Sequence, residues 1–303
     1  VRSVLLVNPL AGDGVAARLA GPVADHLRSV AEVSVVTAAS ATASGRNATG
    51  AVAEGAGVLV VLGGDGLVHE AVQACAGTDT ALAVIPTGTG NDLARALGMP
   101  LDPLTAARVV AESISTASVS VIDLGGAVGG EWFATVLCAG FDSKVNARVN
   151  RMRWPRGKRR YDLAVLRELL GLAAMPLRVE TERGGIETAA TLVAVGNTSH
   201  YGGGVPICPD ADPTDGLLDV TVVGEVTRRD LLGILPRLRT GRHVDHPAVR
   251  TLRTSSVRLS GENGWLAFAD GEPQARLPLT LRCSREKLRV IRPRRGDRRP
   301  GEA

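Results

Sequence analysis

Val58-Leu59-Val60-Val61-Leu62-Gly63-Gly64-Asp65-Gly66-Leu67-Val68-His69-Glu70 is an aliphatic run that ends in a glycine turn and then takes up apolar residues at helical spacing. A run this short and apolar at every position reads as a strand buried on both faces. The apolar positions Leu67, Val68 and Val72 then make the unit strand, turn, helix. The same unit recurs on either side. Val4–Val7 precedes Val15, Leu19, Val23, Leu27 and Val30, Val33–Val36 follows, and Leu82–Ile85 leads through Pro86-Thr87-Gly88-Thr89-Gly90-Asn91-Asp92 into Leu93 and Leu97. This alternation predicts an α/β domain whose parallel sheet is covered on both faces, with ligands at the carboxyl ends of the strands. Asn8-Pro9, the Gly63 turn and the Thr87 turn all fall at those ends.

Beyond Ile122 the pattern changes to short strands between turn-rich loops: Trp132–Leu137, Leu192–Val195, Leu217–Val223, Val257–Leu259 and Leu279–Leu281. Helical spacing is confined to Tyr161–Ala174 and Arg228–Arg239, so this part is expected to be a β-rich, sandwich-like domain with added helices. A chain of 303 residues exceeds the roughly 100–200 of one typical domain. The expected division is residues 1–122, an α/β nucleotide-binding domain, residues 123–292, a β-rich substrate domain, and residues 293–303, a basic tail whose composition reads as a solvated, disordered end.

With 45% hydrophobic and 22% charged residues the chain has the composition of an ordinary soluble globular protein. Its net charge of +4 favours anionic partners. Cys75, Cys138, Cys208 and Cys283 show no paired spacing of a zinc site or disulfide framework, and the expected compartment is a reducing cytosol. The first residues enter a strand-like run with no leader pattern, and no apolar run approaches the roughly 18–20 residues that cross a bilayer, so membrane contact is expected to be peripheral. Arg148–Arg160, dense in Arg and Lys around Trp154, suits an anionic bilayer surface or a solvated loop. No recognition motif accompanies the charge, so no nucleic-acid partner is expected.

Glycines between a strand and a helix N-terminus allow close backbone approach and present amides to an anion, which the helix dipole also favours. Asp65 is the unusual residue in such a cradle. A carboxylate beside phosphates is repulsive unless it binds Mg²⁺, accepts a hydrogen bond or acts as a base; the alternative is a tight turn with a helix-capping Asp. In the second turn the Thr87 and Thr89 hydroxyls can donate to phosphate oxygens, and Asn91 or Asp92 can cap the following helix. Farther along, Asp270-Gly271-Glu272 is an acidic turn suited to proton transfer.

Five motifs in order resemble the diacylglycerol kinase catalytic-domain family, which includes sphingosine kinases and bacterial lipid kinases: Asn8-Pro9 with Gly12, Gly63-Gly64-Asp65-Gly66 with Glu70, Gly88-Thr89 with Asn91-Asp92, Pro209-Asp210 with Asp215-Gly216-Leu217, and Asp270-Gly271-Glu272. The resemblance spans almost the whole chain. It implies a first domain on the NAD kinase and phosphofructokinase scaffold, and an ATP-dependent transfer of the γ-phosphoryl group to a lipid hydroxyl. Gly63 to Glu70, which takes in Leu67, Val68 and His69, then corresponds to the nucleotide-phosphate loop. Thr37 and the segment Thr87 to Asp92 supply further ATP contacts, and Asp65 positions metal or acceptor. Either carboxylate of the acidic turn could receive the proton; the resemblance favours Glu272 over Asp270. Asp212, Asp215 and the Leu217 carbonyl correspond to a structural Mg²⁺ site. A cytoplasmic protein, peripheral at the inner membrane face and admitting a homodimer, is the implied setting. Leu67 stands where bacterial diacylglycerol kinases usually carry Thr and His69 where Asn is common, a loop similar to the sphingoid-base version, so diacylglycerol-like and sphingoid-like acceptors both stand. The glycine loop alone also fits an NAD kinase, and a non-catalytic nucleotide- or lipid-binding protein would keep the same fold.

Overall fold

The structure, a computed structural model, describes residues 1–140, 148, 174–261 and 265–293. The helix expected from Tyr161, the basic stretch after Arg148 and the tail beyond Pro293 lie outside these residues. The chain divides into two compact units, Val1–Leu124 joined by the segment from Arg285, and Gly125–Ser284.

In the first unit, β1 (Arg2–Val7), β2 (Glu32–Thr37), β3 (Val58–Gly63) and β4 (Ala81–Pro86) pair in parallel in the order β2-β1-β3-β4. β3 and β4 are buried at every position, as their unbroken apolar sequences require. β2 is largely exposed because it forms the sheet edge, a departure from the expectation that every strand is covered. Helices α1 (Val15–Arg28) and α5 (Pro103–Ser115) pack together, as do α2 (Ala41–Ala53) and α3 (Asp65–Cys75). The chain steps from β1 to β2 in one direction and back across to β3 in the other. Right-handed crossovers therefore put α1 and α2 on opposite faces. The Ala- and Gly-rich stretch after β2 is helical because Ser40 caps it, its Oγ accepting from the Ala43 amide at 3.3 Å.

By its contacts the segment from Arg285, expected within the domain 123–292, groups with the first unit. Strand β17 (Leu288–Val290) returns to the first sheet, parallel to β4 and antiparallel to β5 (Ser120–Ile122), so the sheet is mixed at that side. Leu288, Val290 and Ile291 are fully buried there. Lys287 Nζ donates to the buried Asp123 carboxylate, and Arg292 Nε donates to Ser120 Oγ at 2.9 Å.

The second unit is an antiparallel sheet built from β6 (Gly125–Ala127), β7 (Trp132–Phe133), β8 (Val136–Gly140), β9 (Met175–Thr181), β10 (Gly184–Gly196), β11 (Leu218–Gly224), β12 (Val249–Thr254), β13 (Ser256–Gly261), β14 (Leu266–Ala269), β15 (Glu272–Arg276) and β16 (Leu279–Cys283). β10 pairs with β9 along Gly184–Ala190 and with β8 along Leu192–Gly196, with an irregularity against β11 between Ala190 and Leu192 where the strand changes partner. Alternate residues serve two cores. Leu137, Ala139, Val193 and Val195 join Leu177, Val179 and Trp265 in one, while Val136, Cys138, Leu192 and Ala194 join Ile207 and Val223 in the other. Covered on both faces, β8 reads as an apolar run and β11 as a largely apolar one, whereas β9 carries exposed Arg178 and half-buried Glu180 and β12 carries exposed Arg250 and Arg253, so neither reads as a strand from sequence. The expected strand Trp132–Leu137 is broken at Ala134 and Thr135, whose amides bond elsewhere. Helix α6 (Arg228–Leu238) starts in a reciprocal capping box between Thr227 and Asp230.

His243 is buried in this unit, with Nε2 3.0 Å from the Ile207 carbonyl. Burial holds its pKa below the ordinary 6.5, against the raising effect of the Ile207 bond. The unfolded chain therefore binds the proton first, and this residue's contribution to stability falls as pH drops below about 6.5 toward the lower folded value. Replacing His243 by Gln should flatten that part of the stability–pH profile in urea titrations. Leu288→Ala should lower the unfolding free energy by about 2–5 kcal/mol, as expected for a fully buried leucine. An unchanged urea midpoint would remove β17 from the core.

Candidate active site

The loop after β1 opens with Asn8, whose Oδ1 accepts from the Leu10 amide at 3.0 Å and whose amide bonds to the Leu62 carbonyl at 3.3 Å. Gly12 has φ +61 and lies with its Cα facing the Thr87 carbonyl, so that a side chain there would meet backbone. Thr87 in turn donates its amide to the Gly63 carbonyl at 2.9 Å. The two glycine turns also approach each other closely. A Cβ on Gly88 would stand 2.7 Å from the Gly64 Cα, a contact only glycine permits. Three turns, after β1, β3 and β4, are thereby packed at the carboxyl end of the sheet, beside the point where strand order reverses about β1. Thr37, opposite Val7 in the register, ends β2 at the same edge.

Asp65 joins these turns. Its Oδ2 accepts from the Asn91 amide at 2.9 Å and its Oδ1 from the Asp92 amide at 2.7 Å. It therefore caps the short helix α4 (Asp92–Ala96), which belongs to the neighbouring turn, and not the helix it begins. The cap expected from Asn91 or Asp92 is not made by either side chain. Asn91, at φ 55, instead closes its own turn, its Oδ1 accepting from the Gly88 amide at 2.9 Å and its Nδ2 donating to the Gly88 carbonyl at 2.8 Å. Gly64 supplies no side-chain cap to α3, whose N-terminal end suits an anion, whereas in α1 the Val15 and Ala16 amides already donate to the Gly12 and Ala11 carbonyls at 3.1 and 3.3 Å. Thr87 Oγ1 is buried with no hydrogen-bond partner among the described residues, whereas Thr89 is exposed. A buried hydroxyl left unsatisfied in native protein needs an explanation, and a ligand oxygen is one.

Of the other residues expected at the nucleotide loop, Gly66 is exposed, while Leu67, Val68 and His69 are buried. Leu67 lies over the Cα of Gly63, and a Cβ there would approach its Cδ2 to 2.7 Å. These three can offer a ligand backbone more readily than side chain. Glu70 reaches over Gly45 of α2, where any side chain would displace its carboxylate. Pro9 is half-buried beside Asn8.

In the second unit the two carboxylates of the acidic turn differ sharply. Asp270, at φ 52, accepts from the Ala134 amide at 3.0 Å, the Thr135 amide at 2.9 Å and the Thr135 hydroxyl. This explains why the chain leaves the ladder between β7 and β8. Glu272 is exposed and has no hydrogen-bond partner among the described residues. A proton acceptor needs a free lone pair. Nothing in the sequence marks Ala134 and Thr135 as partners of a turn more than a hundred residues away.

The expected metal set is arranged otherwise. Asp212 Oδ1 accepts from the Thr214 amide at 3.0 Å and its hydroxyl at 2.6 Å. Asp215 Oδ1 accepts from the Leu217 amide at 2.9 Å, and its Oδ2 is held by Arg253. A divalent ion such as Mg²⁺ takes about six oxygens at about 2.0–2.1 Å. The outward oxygen of Asp215 faces a guanidinium, and among the described residues no group of three His, Cys, Asp or Glu is placed to hold a metal. These residues do not fit the ion.

With this geometry in place, comparison with known proteins is informative. Residues 2–124 match the diacylglycerol kinase catalytic domain and residues 135–292 the YegS C-terminal NAD kinase beta sandwich-like domain. The chain belongs to the diacylglycerol kinase catalytic-domain family of lipid kinases. It is 40% identical over 96% of its length, and 95% of the relative's, to a Mycobacterium tuberculosis protein named diacylglycerol kinase. A Pseudomonas aeruginosa protein named probable lipid kinase YegS-like is 32% identical over 80% of this chain and 79% of its own. A crystal structure named a diacylglycerol kinase from Bacillus anthracis shares the fold, with a TM-score of 0.71 and 20% identity, covering 96% of each chain. The NAD kinase alternative left by the glycine loop alone gives way to the lipid kinase family.

The bonding pattern separates bracing from reacting carboxylates. Asp65→Ala should lower unfolding free energy by about 2–4 kcal/mol, since it removes two charge-assisted hydrogen bonds and leaves two amides uncapped. Asp270→Ala should cost a similar amount and Glu272→Ala almost nothing, as read by urea unfolding of the three proteins. Equal stability of all three would contradict the bracing role.

Proposed function

We propose that this lipid kinase transfers the γ-phosphoryl group of ATP to the free hydroxyl of a diacylglycerol, with Glu272 receiving the hydroxyl proton. The observation that carries the nucleotide half is the convergence of three glycine turns at the carboxyl ends of the strands, with the uncapped start of α3 and a Thr87 hydroxyl that has no hydrogen-bond partner among the described residues. Phosphoryl transfer demands positioning and charge stabilisation more than covalent help from the protein. Backbone amides of the Gly12 and Gly64 turns, with those of the second turn that Asn91, Asp65 and the Gly63 carbonyl leave unengaged, would hold the phosphates without adding negative charge. Asp65, engaged with the Asn91 and Asp92 amides, keeps the second turn at the distance the cradle needs, and its own charge is offset by those donors. Charge on the triphosphate is further neutralised by the Mg²⁺ that accompanies the nucleotide as part of the substrate.

The 40% identical relative supports a diacylglycerol acceptor despite Leu67 and His69, because both of those side chains are buried in α3. Such an acceptor resides in a bilayer. No helix among the described residues is long and apolar enough to cross one, so contact with the membrane at its surface is the arrangement this reading requires.

Purified protein given radiolabelled ATP, Mg²⁺ and vesicles containing diacylglycerol should label phosphatidic acid. Glu272→Gln should slow transfer by about 10²–10⁴-fold, the usual range for a lost general base, with its melting temperature unchanged. Undiminished transfer by that variant would overturn Glu272 as base. Label appearing only in a sphingoid lipid supplied in parallel would overturn the acceptor.

A further inference from the structure

Cys208 to Asp219 is an acidic segment that packs against β12, and in the kinase reading it has no part in phosphoryl transfer. Its carboxylates Asp215 and Asp219 converge on a single cation of the chain itself. β11 and β12 are antiparallel with Asp219 directly opposite Arg253. From that register position the guanidinium extends one amine to Asp215 Oδ2, while its Nε lies 3.4 Å from Asp219 Oδ2. Asp219 is buried, and Asp215 keeps a side-chain exposure of 25%. The other two acidic residues, Asp210 and Asp212, are exposed, and solvent and salt screen them.

We propose that Arg253 takes the place of a structural divalent cation in this chain, so that the Asp212–Leu217 turn is pinned to the sheet by a guanidinium and needs no metal. The physical task at this turn is to neutralise two carboxylates brought together by the fold and to fix a loop that reverses direction at Gly216, φ +77. A planar guanidinium does both. It donates a hydrogen bond to Asp215 and lies within ion-pair distance of Asp219, and it is anchored covalently in a strand whose register is set by six residue pairs with β11. Mg²⁺ could enter only by displacing Arg253 from Asp215, and the other oxygen of that carboxylate already closes the turn on the Leu217 amide. Asp212 is likewise committed within its turn, to Thr214. The metal requirement of the reaction then reduces to the Mg²⁺ carried by the nucleotide.

The test needs no turnover, so its result is separable from that of the kinase reading. Nucleotide-free full-length protein is melted in EDTA and in excess MgCl₂, and titrated with Mn²⁺ followed by electron paramagnetic resonance. The wild type should melt at the same temperature in both, and any Mn²⁺ it binds should be unaffected by Asp215→Asn. Arg253→Ala should melt a few degrees lower in EDTA, recover in MgCl₂ and gain one Mn²⁺ per chain that Asp215→Asn abolishes. A wild-type protein that loses melting temperature in EDTA, or binds one Mn²⁺ that Asp215→Asn removes, overturns the proposal. Should Asp215→Asn not fold, Asp212→Asn serves as the same control in an exposed turn. Should Arg253→Ala not fold, the wild-type measurements decide alone.

Discussion

The first unit depends on a backbone-to-backbone contact between Gly64 and Gly88, held closed by the Asp65 carboxylate across the gap. Two strand ends in a parallel sheet lie side by side by register, but their following turns have no reason to touch unless side chains are absent and something draws them together. The glycines remove the first obstacle. The pair of amides at Asn91 and Asp92 gives the carboxylate two donors in succession, which orients the second turn relative to the first. The Thr87 hydroxyl and the uncapped start of α3 are placed at the same strand ends as that contact.

The second unit uses the same device with different partners. Asp270 takes two successive amides and a hydroxyl from Ala134 and Thr135, and its turn is thereby fixed while Glu272 remains exposed. In both units an aspartate within a glycine turn is a brace between segments distant in sequence. A carboxylate that satisfies several donors has fewer lone pairs for proton transfer, which is why two acidic residues of one short turn can have different uses. The Asp215–Arg253–Asp219 cluster extends the principle to charge, since a cation supplied from the adjacent strand offsets carboxylates that the loop brings together.

Much of the architecture was legible because burial on both faces leaves a plain signature. β3, β4 and β8 are built of apolar residues, glycine and proline, and the apolar runs within β1 and β11 also stand out as strands, with glycine turns following β3 and β4. Strands with a partly exposed face, such as β9 with Arg178 and Glu180 and β12 with Arg250 and Arg253, interrupt their apolar residues with polar ones and resemble loops when read alone. The return of β17 to the first sheet was likewise hidden, for a three-residue strand has no periodicity to detect and its place depends on the gap between β4 and β5. The residues of the candidate site were identified by type and spacing. Their individual duties were not, because Asp65 and Asp270 act on amides that the linear order gives no reason to associate with them.

Local composition and short-range spacing were enough to give the class of each half, the glycine turns at the strand ends and the acidic turn at Asp270–Glu272. Tertiary structure decided which carboxylates are engaged and which is exposed, that the chain re-enters its first sheet, and that Arg253 stands opposite Asp219. Those outcomes rest on hydrogen bonds and strand registers between residues far apart in the chain, and such pairings are settled by packing of the whole unit.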